Sequence, residues 1–251
     1  MKVYFVGAGP GAADLITLRG MRLLQKASVV IYAGSLVSPL LLEECSSQAK
    51  IYNSAGMTLD EVVRVYERHA RDEGIIVRLH TGDPTVYGAI QEQMDALKKR
   101  DIPFEVVPGV SSFQAASAVL QRQFTLPGVS QTVILTRVEG RTKMPEGESL
   151  EVLAQSGATL VLFLSANRCG EIQKRLEPLL GADIPVALVY RATWEDEQIF
   201  RGTLGTLEKL SESSGIGSHA LVVIGRVLDS EYELSKLYDG AFAHGFREAS
   251  L

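Results

Sequence analysis

Three times in its first 116 residues the chain runs from a short apolar stretch into a loop of glycine and proline, and then into a helical pattern. The stretches are "VYFVGAGPGAADLITLRG" (3–20), "LHTGDPTVYGA" (79–89) and "VVPGVSSFQAA" (106–116). Repeated strand, tight exit and helix point to a mostly parallel sheet covered by helices. All three exits then lie at the C-terminal ends of their strands, where open α/β sheets bind ligands.

The spacing predicts strands over 2–7, 28–32, 50–52, 75–80 and 104–107. Helices are expected over 15–26, within 38–45 with Pro39 near the start, from Thr58 to about Asp72, over 86–100 and over 113–120. Thr58 followed by Glu61 matches a capping box, and Gly74 is a stop. The pattern then changes. "VSQTVILTRVEG", "GATLVLFLSA", "VALVYRATW", "DEQIFRGTL" and "SHALVVIGRVL" all have strand character. Strands outnumber helices there, so a mixed sheet with antiparallel pairs is expected. The fold class read from this is α/β in two α/β domains, 1–110 with a mostly parallel sheet and 115–228 with a mixed one. A tail follows over 229–251, read as one helix and a loose end.

A formal net charge of −5 argues against a general nucleic-acid or membrane-surface binder, which needs clustered Lys and Arg. Cys45 and Cys169 are far apart and have no metal-type spacing, so two free thiols in a reducing compartment are expected. No apolar stretch approaches the roughly 20 residues that cross a bilayer. No signal peptide is legible, and the expected location is the cytoplasm. No His/Cys/Asp cluster has metal spacing, so no metal is expected.

The opening loop looks like a dinucleotide cradle and departs from it. The fingerprint G-x-G-x-x-G meets Ala12 where its last glycine belongs. Pro10, inside the loop, has no N–H to aim at a phosphate. The second strand ends "VVIYAGS", without the acidic residue that would hold a ribose. Small residues also close the strands "LFLSA" and "VYRAT". Close backbone with few fixed charges suits a nucleoside carrying a sulfonium and suits a pyrophosphate poorly.

The ordered set "VGAGPGAADLITLRG", "TGDPTVYG", "VPGVSS", "GATLVLFLSA", "YRAT…RGTL" and "HALVVIGRV" resembles the tetrapyrrole methylase family over roughly residues 2–228. "YAGSLVSP" (32–39) and "NSAGMTLDEV" (53–62) resemble its precorrin-4 branch, which methylates carbon 11 of the corrin precursor in cobalamin biosynthesis. The resemblance implies an S-adenosylmethionine-dependent C-methyltransferase with a small-molecule tetrapyrrole substrate. It implies two α/β domains with the cofactor in the cleft between them, and usually a homodimer. Neither nucleic acid nor membrane is an expected partner. Methylation of another tetrapyrrole carbon, or adenosine binding by a non-enzymatic regulatory module, are the alternatives.

Carried over position by position, the family's cofactor contacts fall on Pro10, Thr81, Gly82, Asp83, Val86, Ser111, Ser112, Leu164, Ala192 and Ala220. Thr81 stands where many relatives have glycine. Leu164 stands where they often have methionine, with Phe163 the alternative if the match slips by one. Asp83 also reads as an Asp-Pro turn starter, and Ser111 and Ser112 as helix caps. Related uroporphyrinogen methylases have a carboxylate after the loop tyrosine and a lysine some twenty residues on, assigned as proton acceptor and donor. Here those places hold Ala33-Gly34-Ser35 and Asn53-Ser54-Ala55, so the roles are not transferred and no catalytic base is named. Arg19, Arg137, Arg141, Lys143 and Arg191 are candidate partners for substrate carboxylates or ordinary surface charges. His80 and His219 flank strand ends and read as structural. Trp194, the only tryptophan, reads equally as a platform for a flat ring and as a hydrophobic anchor.

Overall fold

The structure is a computed structural model that describes residues 1–229 and, beyond them, 231–235, 239, 242, 243, 245, 247 and 248. The chain divides into two compact units. One holds Met1–Ala116 with Arg191–Glu197, and the other Ser117–Tyr190 with Gln198–Leu251.

The first unit is built from β1 (Lys2–Gly7), α1 (Leu18–Lys26), β2 (Val29–Tyr32), α2 (Leu40–Glu43), β3 (Lys50–Asn53), α3 (Leu59–His69), β4 (Ile75–His80), α4 (Gln91–Lys98), β5 (Phe104–Val107) and the start of α5 (Ser112–Leu120). Its strands form one sheet in the order β3-β2-β4-β1-β5, with every pair parallel. Successive side chains feed two cores. Val3, Phe5, Ile31 and Ile76 pack with Val62 and Tyr66 of α3 and Leu97 of α4. Val6, Val30, Val77 and Leu79 pack with Leu24 of α1 and Leu41 of α2. Burial on both faces is why these strands read as unbroken apolar runs.

β1 and β4 are neighbours, yet the chain leaves them in opposite directions. β1 leads through α1 to β2, beyond β4, whereas β4 leads through α4 to β5, on the far side of β1. Their helices cover opposite faces, which makes the gap between the two exits the switch point of the sheet.

The second unit contains β6 (Val133–Arg137), α6 (Leu150–Ala154), β7 (Thr159–Phe163), α7 (Cys169–Leu180), β8 (Pro185–Tyr190), β9 (Gln198–Thr203), α8 (Leu207–Ser214) and β10 (Ala220–Ile224). The sheet order is β6-β7-β10-β8-β9, parallel only at β6–β7 and antiparallel elsewhere. Leu150 of α6, Ile172 and Leu176 of α7 and Leu207 of α8 pack on Leu160, Leu162, Leu188, Val222 and Ile224. The expected mixed sheet is present.

Several expected bounds move. α1 starts at Leu18 rather than at 15, because the Thr17 hydroxyl accepts from Gly20 N and 13–15 form a separate 3₁₀ turn. α4 starts at Gln91 rather than at 86, because Tyr87 and Ala89 take φ of 56° and 49°, outside the helical range. α3 has the expected capping box but ends at His69. α6, α7 and α8 are helices that the strand-rich reading left unassigned. The helix expected after Asp229 falls largely outside the described residues, and 231–235 are not helical.

Candidate functional site

The three glycine-bearing exits of the first sheet close on one another. Gly9 N donates to Gly82 O at 3.3 Å and Gly82 N to Gly9 O at 2.7 Å, clasping the β1 exit to the β4 exit. A Cβ on Gly7 would stand 2.5 Å from Gly109 Cα and 2.6 Å from Gly82 O. Gly7 and Gly109 are required because three backbones share one small space, and Gly82 because its φ is 58°.

That clasp consumes the donors a phosphate would need. Ala8 N donates to His80 O at 2.7 Å, Gly9 N to Gly82 O, and Ala12 N to Thr193 Oγ1 at 3.1 Å. Pro10 has none, which leaves Gly11 N alone over 8–12. An anion cradle needs several convergent N–H groups, and this exit does not offer them.

Asp83 has φ-flexible Gly82 before it and holds its own loop. One carboxylate oxygen accepts from Thr85 N at 2.8 Å and from the Thr85 hydroxyl, and the other from Gly109 N at 2.8 Å. Burial pushes its pKa up, but the hydrogen bonds from Thr85 and Gly109 outweigh this and hold the carboxyl below its usual value. The exit therefore carries an ionised acid. Asp83 is a turn residue that also ties the β4 exit to the β5 exit. Val86 and Thr81 are half-buried beside it.

At the third exit Ser111 is buried and Ser112 opens α5. Neither hydroxyl makes a hydrogen bond. The start of α5 is held instead by Gln114, whose Oε1 accepts from Ser111 N at 2.8 Å and whose N donates to Ser111 O at 3.1 Å. Both hydroxyls are thus left for something other than capping.

Residues 191–197 strap the opening loop. Trp194 Nε1 donates to Pro10 O at 3.0 Å, and the Arg191 guanidinium lies 4.0 Å from the tryptophan ring centre. Ala192 is buried, and its carbonyl would be 2.9 Å from a Cβ on Gly11. Trp194 is the anchor of the glycine loop. Sequence gave no means of pairing it with Pro10, 184 residues away.

The structure thus brings Pro10, Thr81, Gly82, Asp83, Val86, Ser111, Ser112 and Ala192 into one unit, on or beside three touching exits. Leu164 and Ala220 belong to the other unit. Leu164 follows β7 with φ of 53° and is 71% exposed. Ala220 opens β10, buried, and pairs with Tyr190 at the end of β8. The two lie at the same end of neighbouring interior strands, where β7 finishes and the antiparallel β10 begins.

Among the candidate basic residues, Arg19 is 3.8 Å from Glu105 and Arg191 is 2.6 Å from Asp196. Arg137 donates to the carbonyls of Val138 and Thr142, closing its own loop. Arg141 and Lys143 are exposed. Among the described residues no cluster of His, Cys, Asp and Glu could hold a metal, and no helix is long and apolar enough to cross a membrane.

The model of the Tetrapyrrole (Corrin/Porphyrin) Methylases matches residues 2–208, most of the chain. The chain belongs to this family. A cobalt-precorrin-4 C(11)-methyltransferase of Methanocaldococcus jannaschii is 48% identical over 99% of this chain and 96% of its own. The solved structure of cobalt precorrin-4 methyltransferase, a cobalamin biosynthetic enzyme, superposes with a TM-score of 0.89 at 45% identity, covering 91% of this methylase and 96% of that chain. Uroporphyrin-III C-methyltransferase from Thermus thermophilus, solved with S-adenosyl homocysteine, gives a TM-score of 0.75 at 29% identity, covering 91% and 99%.

Proposed function

We propose that this tetrapyrrole methylase transfers a methyl group from S-adenosylmethionine to carbon 11 of precorrin-4, or of its cobalt form, in cobalamin biosynthesis. Near-full-length identity of 48% to a relative of that activity carries the assignment. The first-unit geometry supports the donor. Its exits are close-packed, poor in free N–H groups and marked by the ionised Asp83, which suits a neutral adenosine and a cationic sulfur and not a diphosphate.

S-adenosylmethionine supplies a methyl group already activated by its positive sulfur. Pro10, Gly82, Val86 and Ala192 offer close apolar backbone and side chain to the adenosine. Thr81 and the unspent hydroxyls of Ser111 and Ser112 offer polar contacts, while Asp83 keeps two exits in register. Leu164 and Ala220 are the contacts proposed from the second unit. The acceptor carbon belongs to an electron-rich, enamine-like ring, so the chain's main task is alignment and exclusion of water. The ring proton leaves afterwards, to water or a substrate carboxylate, and no side chain is assigned as its base. Two free thiols, Cys45 and Cys169, fit a reducing cytoplasm. The working unit in this reading is a homodimer, which light scattering measures directly.

The test is incubation with precorrin-4 and a donor labelled with ¹³C in the methyl group. The label is expected on carbon 11. Label on another ring carbon would change the acceptor, and donor binding without transfer would make the protein a binding module.

A further inference from the structure

Arg78 is the only Lys, Arg, Asp or Glu among the described residues that is buried, at 7% exposure. It lies on β4 two residues before the exit. Its guanidinium meets only neutral groups: Nε donates to Gln93 Oε1 at 3.2 Å and Nη1 to Ser54 Oγ at 2.9 Å. Both acceptors are fixed from behind. Gln93 Oε1 also accepts from Tyr66 OH at 2.7 Å, Gln93 Nε2 donates to Ala89 O at 3.1 Å, and Ser54 Oγ donates to Tyr32 O at 2.9 Å. Nη2 makes no hydrogen bond, and it is not fully enclosed.

A buried cation without a counter-charge is costly. Burial lowers the Arg78 pKa, but a guanidinium stays protonated at working pH. His80, on the same face of β4, supplies no negative charge. Its own Nε2 is enclosed without a partner. The network therefore orients a positive charge, with one nitrogen open, toward an anion that the chain does not provide. Of the residues holding it, Ser54 directly follows β3, and Gln93 of α4 is tied to Ala89 in the loop that follows the β4 exit.

We propose that Arg78 receives a carboxylate of the tetrapyrrole, Nη2 making the hydrogen bond and Gln93 and Ser54 fixing the guanidinium plane. The inference rests on the function proposed above, since it takes its ligand from there. Donor and acceptor both carry carboxylates, so two titrations separate them: S-adenosylhomocysteine by calorimetry, and uroporphyrin III, a stable polycarboxylate macrocycle, by fluorescence. Arg78→Gln is expected to weaken uroporphyrin III about tenfold or more, the worth of one charge-assisted hydrogen bond, and to leave S-adenosylhomocysteine unchanged. Arg78→Lys is expected to recover part of the loss. Weakening on the S-adenosylhomocysteine arm alone would overturn the tetrapyrrole assignment and give the carboxylate to the donor. Unchanged binding on both arms would overturn the site while leaving the proposed function standing. Failure of the wild type to bind the macrocycle would overturn both. Should Arg78→Gln not fold, wild-type crystals soaked with uroporphyrin III decide it: a carboxylate at Nη2 supports the inference, and a bound macrocycle without one overturns it.

Discussion

Gly7 and Gly82 meet the same three-way contact for different reasons, and substitution separates them. At Gly7 a methyl group would strike backbone, 2.5 Å from Gly109 Cα. At Gly82 it would sit 3.5 Å from Ser112 N, ordinary contact, but φ is 58°. Gly82→Ala is expected to lose about 1–2 kcal/mol, the cost of a left-handed alanine. Gly7→Ala is expected to lose more than the ~1–3 kcal/mol of ordinary overpacking, because backbone cannot swing aside. Urea titration of the two variants checks the order. His80 adds a pH signature. Burial first, and then the charge of Arg78, hold its pKa at about 3, against 6.5 for the free side chain. A depressed folded value means that its contribution is complete above 6.5 and falls as pH drops toward 3. His80→Leu is expected to flatten that part of the stability–pH curve. At this scale the sequence was legible where one residue decides alone. Pro10 and Ala12 already spoke against a phosphate grip. Trp194 and Arg78 were not legible, because their meaning depends on partners from distant strands and loops.

Helix starts were the least legible elements. The Thr58–Glu61 box was readable because both partners lie within one turn. The starts of α1 and α4 were not, because apolar periodicity runs on through turns: 13–15 ahead of α1, and 84–90, where Asp83 holds Thr85, ahead of α4. In the second unit, the Arg175 side chain of α7 reaches both Glu151 of α6, at 2.6 and 2.8 Å, and Glu171, at 3.1 Å. The hydrogen bonds from Arg175 hold Glu151 at about 2, below its ordinary 4.5. That stabilisation is present above pH 4.5 and lost as pH falls through about 2. Glu151 is 37% exposed, so water screens the pair. Arg175→Ala is expected to cost about 0.5–1 kcal/mol, with the Glu151 carboxyl returning toward its ordinary pKa by NMR titration.

Across the whole molecule, the two sheets differ in how their buried strands are connected. Continuous apolar runs joined by helices gave a parallel sheet, and in the second unit the direct β8–β9 connection and the antiparallel β10 made the sheet mixed. The order β3-β2-β4-β1-β5 could not be read from the chain, because strand order depends on which helix covers which face. Yet that order is what brings the exits at Gly7, Gly82 and Gly109 together. The most direct measurement of what those exits hold is calorimetric titration of the wild type with S-adenosylhomocysteine and, separately, with NADH. Saturable heat with the nucleoside thioether and none with the dinucleotide is expected. Saturable binding of NADH with none of S-adenosylhomocysteine would contradict the assignment of a methyl donor to this site.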